Sequence, residues 1–256
     1  MKQLIPERFQ QPLKRAFLKV IWYGRTYHCN VCNASIRKWK PIGYDFPVIE
    51  TYNIIGSGMR DALCPVCSAS DRVRLLLHFL QNSTTLFKKP VKLLHIAPEP
   101  SLEYILNKVS SIDYLTADLN PEKGMMQLNI TATPFPGATF DAILCNHVLE
   151  HIPDDLEAME ELYRILKPNG WAILQVPISM NIEKTYEDFS ITDERDREKA
   201  FGQKDHVRIY GRDYTDRLKK AGFSILQYRW TEDPALQQSK SLLQLNREEV
   251  IFFCTK

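Results

Sequence analysis

The sequence predicts an α/β fold in which an open, mainly parallel sheet carries helices on its faces, with a small cysteine-rich module ahead of it. Two observations carry this. The stretch Phe140 to Ile178 reads as strand, loop, helix, turn and strand, and two Cys-x-x-Cys pairs stand well before it. A chain of 256 residues has room for one large domain or two unequal ones.

Within that stretch, Phe140–Cys145 is an apolar run of the length of a buried strand. Pro153 suits a first helical turn, and Asp154 and Asp155 place negative charge at the positive end of the helix dipole. Leu156, Met159, Tyr163 and Leu166 recur at three- and four-residue steps, with Leu162 and Ile165 beside them, which makes one apolar stripe. Pro168-Asn169-Gly170 stops the helix, and Trp171–Val176 is the second strand. A strand, a crossover helix and a strand imply parallel pairing.

The N-terminal residues have no apolar leader core, and no run approaches a membrane span, so a cytoplasmic protein without a membrane partner is expected. In a reducing compartment, paired cysteines favour metal over disulfides. Residues 1–90 hold 14 Lys+Arg and 5 Asp+Glu, a balance of +9, and the remainder is −7, giving the net +2. The basic part suits an anionic partner such as RNA, or the acidic half of its own chain.

Residues 1–20 form an N-terminal arm in which Phe9, Leu13, Phe17 and Val20 alternate with Arg8, Lys14, Arg15 and Lys19. A short amphipathic helix after Pro12, packed on its own domain, is expected there. Residues 21–88 form the cysteine module. Cys29/Cys32 and Cys64/Cys67 suit a tetrahedral site for Zn²⁺, with an iron–sulfur cluster or redox thiols as the alternatives, and the zinc role is structural because four thiolates leave no open position for catalysis. Between the pairs, Val48–Tyr52 reads as strand and Gly56-Ser57-Gly58 as a turn. The helix that follows Cys67 starts near Ser70 and makes the plan zinc-ribbon or treble-clef-like. His28 is read as a flanking polar residue.

FDAILCNHVLEHIPDD followed by ELYRILKPNGWAILQVP resembles the fourth and fifth strands of class I S-adenosylmethionine (SAM) dependent methyltransferases of the "type 11" group. The resemblance covers about residues 89–256 and implies a Rossmann-like, seven-stranded sheet. Val91–Ile96 is then its first strand, Ser101–Val109 the next helix, and Ile112–Asp118 and Met125–Ile130 the second and third strands. Gly211–Ala221 becomes a helix, and Phe223–Trp230 with Glu248–Cys254 the closing hairpin. The cofactor loop departs from the family, with His95 where an acid is usual and Ala97 and Glu99 where glycines are usual.

The resemblance implies that Glu99 pairs with the ammonium of SAM and that Asp118, with Leu119 beside it, holds the ribose diol. Asn129 and Ile130 meet the adenine, and Cys145, Asn146 and His147 meet the methionine end. Glu150 and His151 stand at the lip of the site. Residues 178–210, polar and dense in charge, are read as an insertion covering the substrate. If Val207 and Ile209 face the core, His206, Arg208 and Tyr210 share a substrate face. His206 or His151 is the expected general base, and Arg208 the anchor for an anionic group. The expected activity is methyl transfer to oxygen or nitrogen of a small-molecule or sugar-type acceptor. An RNA methyltransferase that binds RNA through the basic zinc module, and a non-catalytic binding fold, stay open beside it.

Overall fold

The computed structural model describes residues 7–256; residues 1–6, and the side chains of 7–12 (Arg8 and Phe9 among them) and 239–241, lie outside the described residues. In chain order the first elements are α1 (Glu7–Ile21), β1 (Tyr23–Cys29), β2 (Ala34–Ile36) and β3 (Lys40–Ile42). Then come α2 (Pro47–Thr51), β4 (Ile54–Ile55), β5 (Arg60–Leu63), α3 (Asp71–Ser83) and β6 (Val91–Ile96). They are followed by α4 (Pro100–Leu106), β7 (Ile112–Asp118), β8 (Met126–Gln127), β9 (Phe140–Asn146) and α5 (Asp155–Ile165). The remainder is β10 (Leu166–Gln175), β11 (Ile178–Ser179), β12 (Tyr186–Glu187), α6 (Glu194–Phe201), β13 (Arg208–Ile209), α7 (Tyr214–Lys220), β14 (Ser224–Arg229), α8 (Pro234–Leu243) and β15 (Val250–Thr255).

The central sheet has seven strands in the order β14-β15-β10-β9-β6-β7-β8. All pairs are parallel except those of β15, which runs antiparallel to both neighbours. Because strand side chains alternate, Leu93, Ala142, Leu144 and Ile173 fill one face while Leu94, Ile143, Cys145, Ala172 and Leu174 fill the other. Helix α3, capped by Ser70 through the Val73 N–H, covers the first face with Leu75, Leu77, Phe79 and Leu80. Met159 and Leu162 of α5 and Tyr214 and Leu218 of α7 cover the second. Among the described residues no helix is long and apolar enough to cross a membrane.

Several local expectations are corrected. Val48–Tyr52 is not a strand: Pro47 opens the one-turn helix α2, which buries Ile49 in a small cluster with Ile54, Phe201 and Ile209. Pro153 precedes the N-cap Asp154 instead of entering the first turn of α5. The third strand shrinks to Met126–Gln127. Helix α1 begins before Pro12, and its stripe does not face the domain: Leu13, Phe17 and Val20 are exposed, while Leu18 and Trp22 reach the core.

The cysteine module is continuous with the sheet. Ile36 and Trp39 share one apolar cluster with Leu93, Ala142 and Trp171. Strand β4 pairs with β11, so the 21–88 segment is tied to the start of the 178–210 insertion over the carboxyl ends of the parallel strands.

Candidate functional site

Two loops leave the carboxyl ends of the adjacent strands β6 and β9, where the winding of the sheet reverses and ligands enter open α/β sheets. Both loops bend at a non-glycine residue with left-handed backbone, Ala97 at φ 48° and His147 at φ 56°. That conformation costs an L-residue roughly 1–2 kcal/mol, and here it is held by Ala97 N–H to Ala117 O (2.8 Å) and His147 N–H to Gln175 O (2.7 Å). Strain paired across a sheet's switch point points to function.

Between the loops lies a cavity of about 440 Å³. Of the expected cofactor residues, Ala97, Asp118, Leu119, Asn129, Ile130 and His147 line it. Asp118 Oδ1 accepts the Asn120 N–H (2.8 Å), which orients the carboxylate at the end of β7. The side-chain oxygen of Asn129 is engaged by the N–H and hydroxyl of Thr131, both at 3.1 Å.

His95, Glu99, Cys145 and Asn146 do not line that cavity; they form the support beneath it. Fully buried His95 donates from Nε2 to Glu99 Oε2 (2.8 Å), and its Nδ1 hydrogen-bonds the Tyr114 hydroxyl (2.8 Å). Asn146 Nδ2 donates to Glu99 Oε1 (3.1 Å). Burial acts to raise the Glu99 pKa, but the His95 hydrogen bond and charge hold it below the usual range. Asn146 Oδ1 is buried without a hydrogen-bond partner among the described residues, an acceptor suited to an ammonium. Cys145 is fully buried inside the sheet, where burial pushes its thiol up.

A second cavity, of about 600 Å³, shares His147, His151 and Asp205 with the first. Arg72, Glu150 and His206 line it, together with Tyr44, Gly56 and Ser57 of the cysteine module and Gln203 of the insertion. Arg72 Nη1 lies 3.3 Å from His147 Nδ1, and His147 Nδ1 lies 3.6 Å from Glu150 Oε1. Burial pushes His206 down to about 4. Burial works to raise Glu150, but hydrogen bonding to His147 and the neighbouring histidines hold it at about 2. Arg72 was not foreseen: at the start of an apolar helix it reads as an ordinary solvated charge.

Arg208 and Tyr210, expected on a substrate face, point elsewhere. Arg208 is 1 % exposed and donates to the carbonyls of Leu149 (2.9 Å), Ile152 and Pro153 (2.7 Å) and to Glu187 (2.9 Å). Tyr210, fully buried, donates to Asp155 (2.7 Å). They clamp the insertion to the loop after β9. Arg208→Lys is therefore expected to lower stability by about 2 kcal/mol, since an ammonium cannot reach the same fork of acceptors. Denaturant unfolding measures this, and unchanged stability with lost acceptor binding would restore a substrate role.

In the cysteine module all four thiols converge. Cys29 and Cys67 Sγ stand 3.7 Å apart, as do those of Cys32 and Cys64. Bonds of about 2.3 Å to a tetrahedral ion require sulfur separations of about 3.8 Å. Behind them, buried Arg74 donates to Ala62 O (2.8 Å), Ala69 O (2.9 Å) and Leu243 O (2.9 Å) and stacks 3.7 Å over Trp39. His28 is half-buried and not in the cluster.

Close by, Arg60 forms a bidentate pair with Asp71 (2.7 and 2.8 Å). Burial pushes Glu249 up to about 7, against the pull of Arg72. An acid whose folded pKa is raised binds more protons folded than unfolded, so stability falls as pH rises between about 4.5 and about 7. Glu249→Gln is expected to remove that fall, on the order of 2–3 kcal/mol. Unfolding free energies at pH 5 and pH 8 test it, and parallel changes in both proteins would refute it.

Residues 104–174 match the family model described as a methyltransferase domain. The curated relatives include the ubiquinone/menaquinone biosynthesis C-methyltransferase UbiE of Enterobacter sp. (strain 638), 35 % identical over 68 residues, which are 25 % of this chain and 27 % of that protein. The protein of the same name from Escherichia coli O1:K1 matches with the same identity and coverage. The chain thus spans about a quarter of the length of these relatives. Among solved structures, an S-adenosylmethionine dependent methyltransferase from Mesorhizobium loti aligns at TM-score 0.52 and 11 % identity, over 73 % of this chain and 99 % of that one. The chain thus shares the fold of its seven-stranded Rossmann-like sheet with that solved structure, and residues 104–174 are similar to part of a methyltransferase domain.

Proposed function

We propose that the protein is a SAM-dependent methyltransferase acting on an oxygen or nitrogen of a small, polar, sugar-type acceptor. The observation that supports this most is the pair of joined cavities. One lies at the switch point of the sheet and ends in Asp118, and the other is lined by His147, Glu150, His151, His206 and Arg72.

When bound, SAM supplies a methyl group on a sulfonium, already activated toward attack. Asp118 would hold the ribose hydroxyls, and Leu119 and Ile130 would enclose the adenine, with the free oxygen of Asn146 beneath them as the acceptor on the side of the ammonium. Glu99, pinned by His95, keeps Asn146 in place. His147 and His151 stand where the cavities meet and align the acceptor there. Such alignment is worth roughly 7–11 kcal/mol of barrier. The proton that a hydroxyl acceptor loses has its acceptors in the histidine and glutamate cluster. His206, expected as the base, is weakly basic when buried and suits hydrogen-bond acceptance better.

The cysteine cluster is a structural zinc site in this reading: four thiolates close the coordination shell, and the buried Arg74 offsets their negative charge. Six unpaired cysteines fit a cytoplasmic, reducing setting. Arg60, Arg72 and Arg74 are turned into their own chain, which favours a small acceptor over RNA. A salt titration checks this. No saturable RNA binding is expected at low salt, and a steep salt-dependent affinity would reverse the order. Calorimetry with SAM and with its demethylated product tests the reading as a whole, and no heat from either ligand would leave only a binding fold.

A further inference from the structure

Three side chains at the junction of the cavities form a ligand set of their own. One donor atom from each of Glu150, His151 and His206 lies within 4.8 Å of the other two. Glu150 Oε1 stands 3.9 Å from His206 Nε2, and the His151 and His206 rings meet edge-on at 4.7 Å. An ion with bonds of about 2.0–2.2 Å to nitrogen and oxygen holds its ligand atoms roughly 3–4 Å apart.

Two further observations point to an occupant. Glu150 is 1 % exposed, yet its Oε2 has no hydrogen-bond partner among the described residues. The His206 imidazole beside it is 3 % exposed, with Nε2 3.9 Å from Glu150 Oε1. A carboxylate oxygen buried without a partner needs an added group to offset the loss of water. His151 is meanwhile oriented from outside. Its Nδ1 lies 3.2 Å from Asp205 O and 3.4 Å from Asp205 Oδ2, which fixes the proton on Nδ1 and leaves Nε2 as a lone-pair donor. A carboxylate behind a histidine is the usual outer support of a metal ligand. His147 is different, since its Nδ1 lies against Arg72.

We propose that Glu150, His151 and His206 bind a divalent transition-metal ion at the acceptor end of the site. Two imidazoles and one carboxylate suit Mn²⁺, Fe²⁺, Co²⁺ or Zn²⁺ and leave coordination positions open toward the 600 Å³ cavity. An acceptor with neighbouring hydroxyls fills two such positions, which sets one oxygen toward the shared wall of the cofactor cavity. This rests on the methyltransferase reading for its purpose, and on the three side chains alone for its existence.

Mn²⁺ is the probe, because a thiolate site already filled with zinc does not take it up. Full-length protein with one zinc per chain is titrated with Mn²⁺ and free ion is read by electron paramagnetic resonance, without SAM. One bound Mn²⁺ per chain is expected. Glu150→Gln and His206→Asn lose it while keeping their zinc and circular dichroism, and Asp205→Ala weakens it by about 10–100-fold. Should Glu150→Gln fail to fold, the half-exposed His151→Asn replaces it. No saturable Mn²⁺ in the wild type, or binding unchanged in the ligand variants, overturns the proposal. Loss of SAM binding alone would sink the enzymatic reading and leave the ion site standing.

Discussion

Cys64→Ser is expected to abolish metal retention and to remove the folded cysteine module, with a loss on the order of 5 kcal/mol or more. The size follows from where the cluster sits. Zinc binding is worth about 10–16 kcal/mol in isolated zinc-finger peptides, and here Cys29, Cys64 and Cys67 belong to the same apolar cluster as Trp39, Leu93 and Trp171. Once the ion is lost, thiolates and Arg74 are left facing each other in a buried space, and β1, β2 and the Trp39 stack lose their anchor. A loss of about 5 kcal/mol lowers the melting temperature of a chain of this size by roughly 10–20 °C. Metal analysis with thermal unfolding checks it. A zinc-free variant that melts with the wild type would show that the fold does not need the ion.

Asp118→Ala is expected to weaken SAM binding by about 10³-fold, with the fold intact. Two hydrogen bonds to a charged acceptor contribute about 1.5–3 kcal/mol each, and in the proposed reading the carboxylate at the end of β7 would accept from both hydroxyls of a ribose. Asp118→Asn keeps one good acceptor and should lose less, about tenfold. Its carboxylate is half-buried and, among the described residues, accepts the Asn120 N–H (2.8 Å), a backbone group near the surface, so its removal leaves no orphaned core group. Calorimetry with SAM gives the number. An affinity unchanged in Asp118→Ala would remove the cofactor from this crevice.

The sheet was legible because its signals are local. Phe140–Cys145, Ile112–Asp118 and the closing hairpin are apolar runs bounded by turn residues, and the structure reproduces them to within a residue or two. Two Cys-x-x-Cys pairs announce convergence whatever lies between them. The short elements were not legible. Val48–Tyr52 has β-branched and aromatic residues yet forms a helical turn, since one proline and one buried isoleucine outweigh weak strand preference.

Site residues divide in the same way. Asp118, Leu119, Ile130 and His147 follow strand ends and could be placed by counting along the chain. Arg208 and Tyr210 could not, because alternation along a strand assumes one free face, and this segment is covered on both sides by the loop after β9 and by Glu187. Arg72 and Glu150 are joined through His147 by contacts 75 and 3 residues apart in sequence, and no pattern announces the longer one.

By itself, the sequence determined a mainly parallel α/β sheet, a four-cysteine set and the strand end that carries Asp118. Each depends on short-range periodicity or on ligands spaced two residues apart, so neighbours in the chain suffice to specify it. Tertiary structure alone decided that the cysteine module shares the core of the sheet and helps to wall the acceptor cavity. It also decided that His95 supports Glu99 from within, and that Glu150, His151 and His206 meet. Those outcomes depend on which buried groups come to face one another, a question settled by packing and desolvation once the chain has closed on itself.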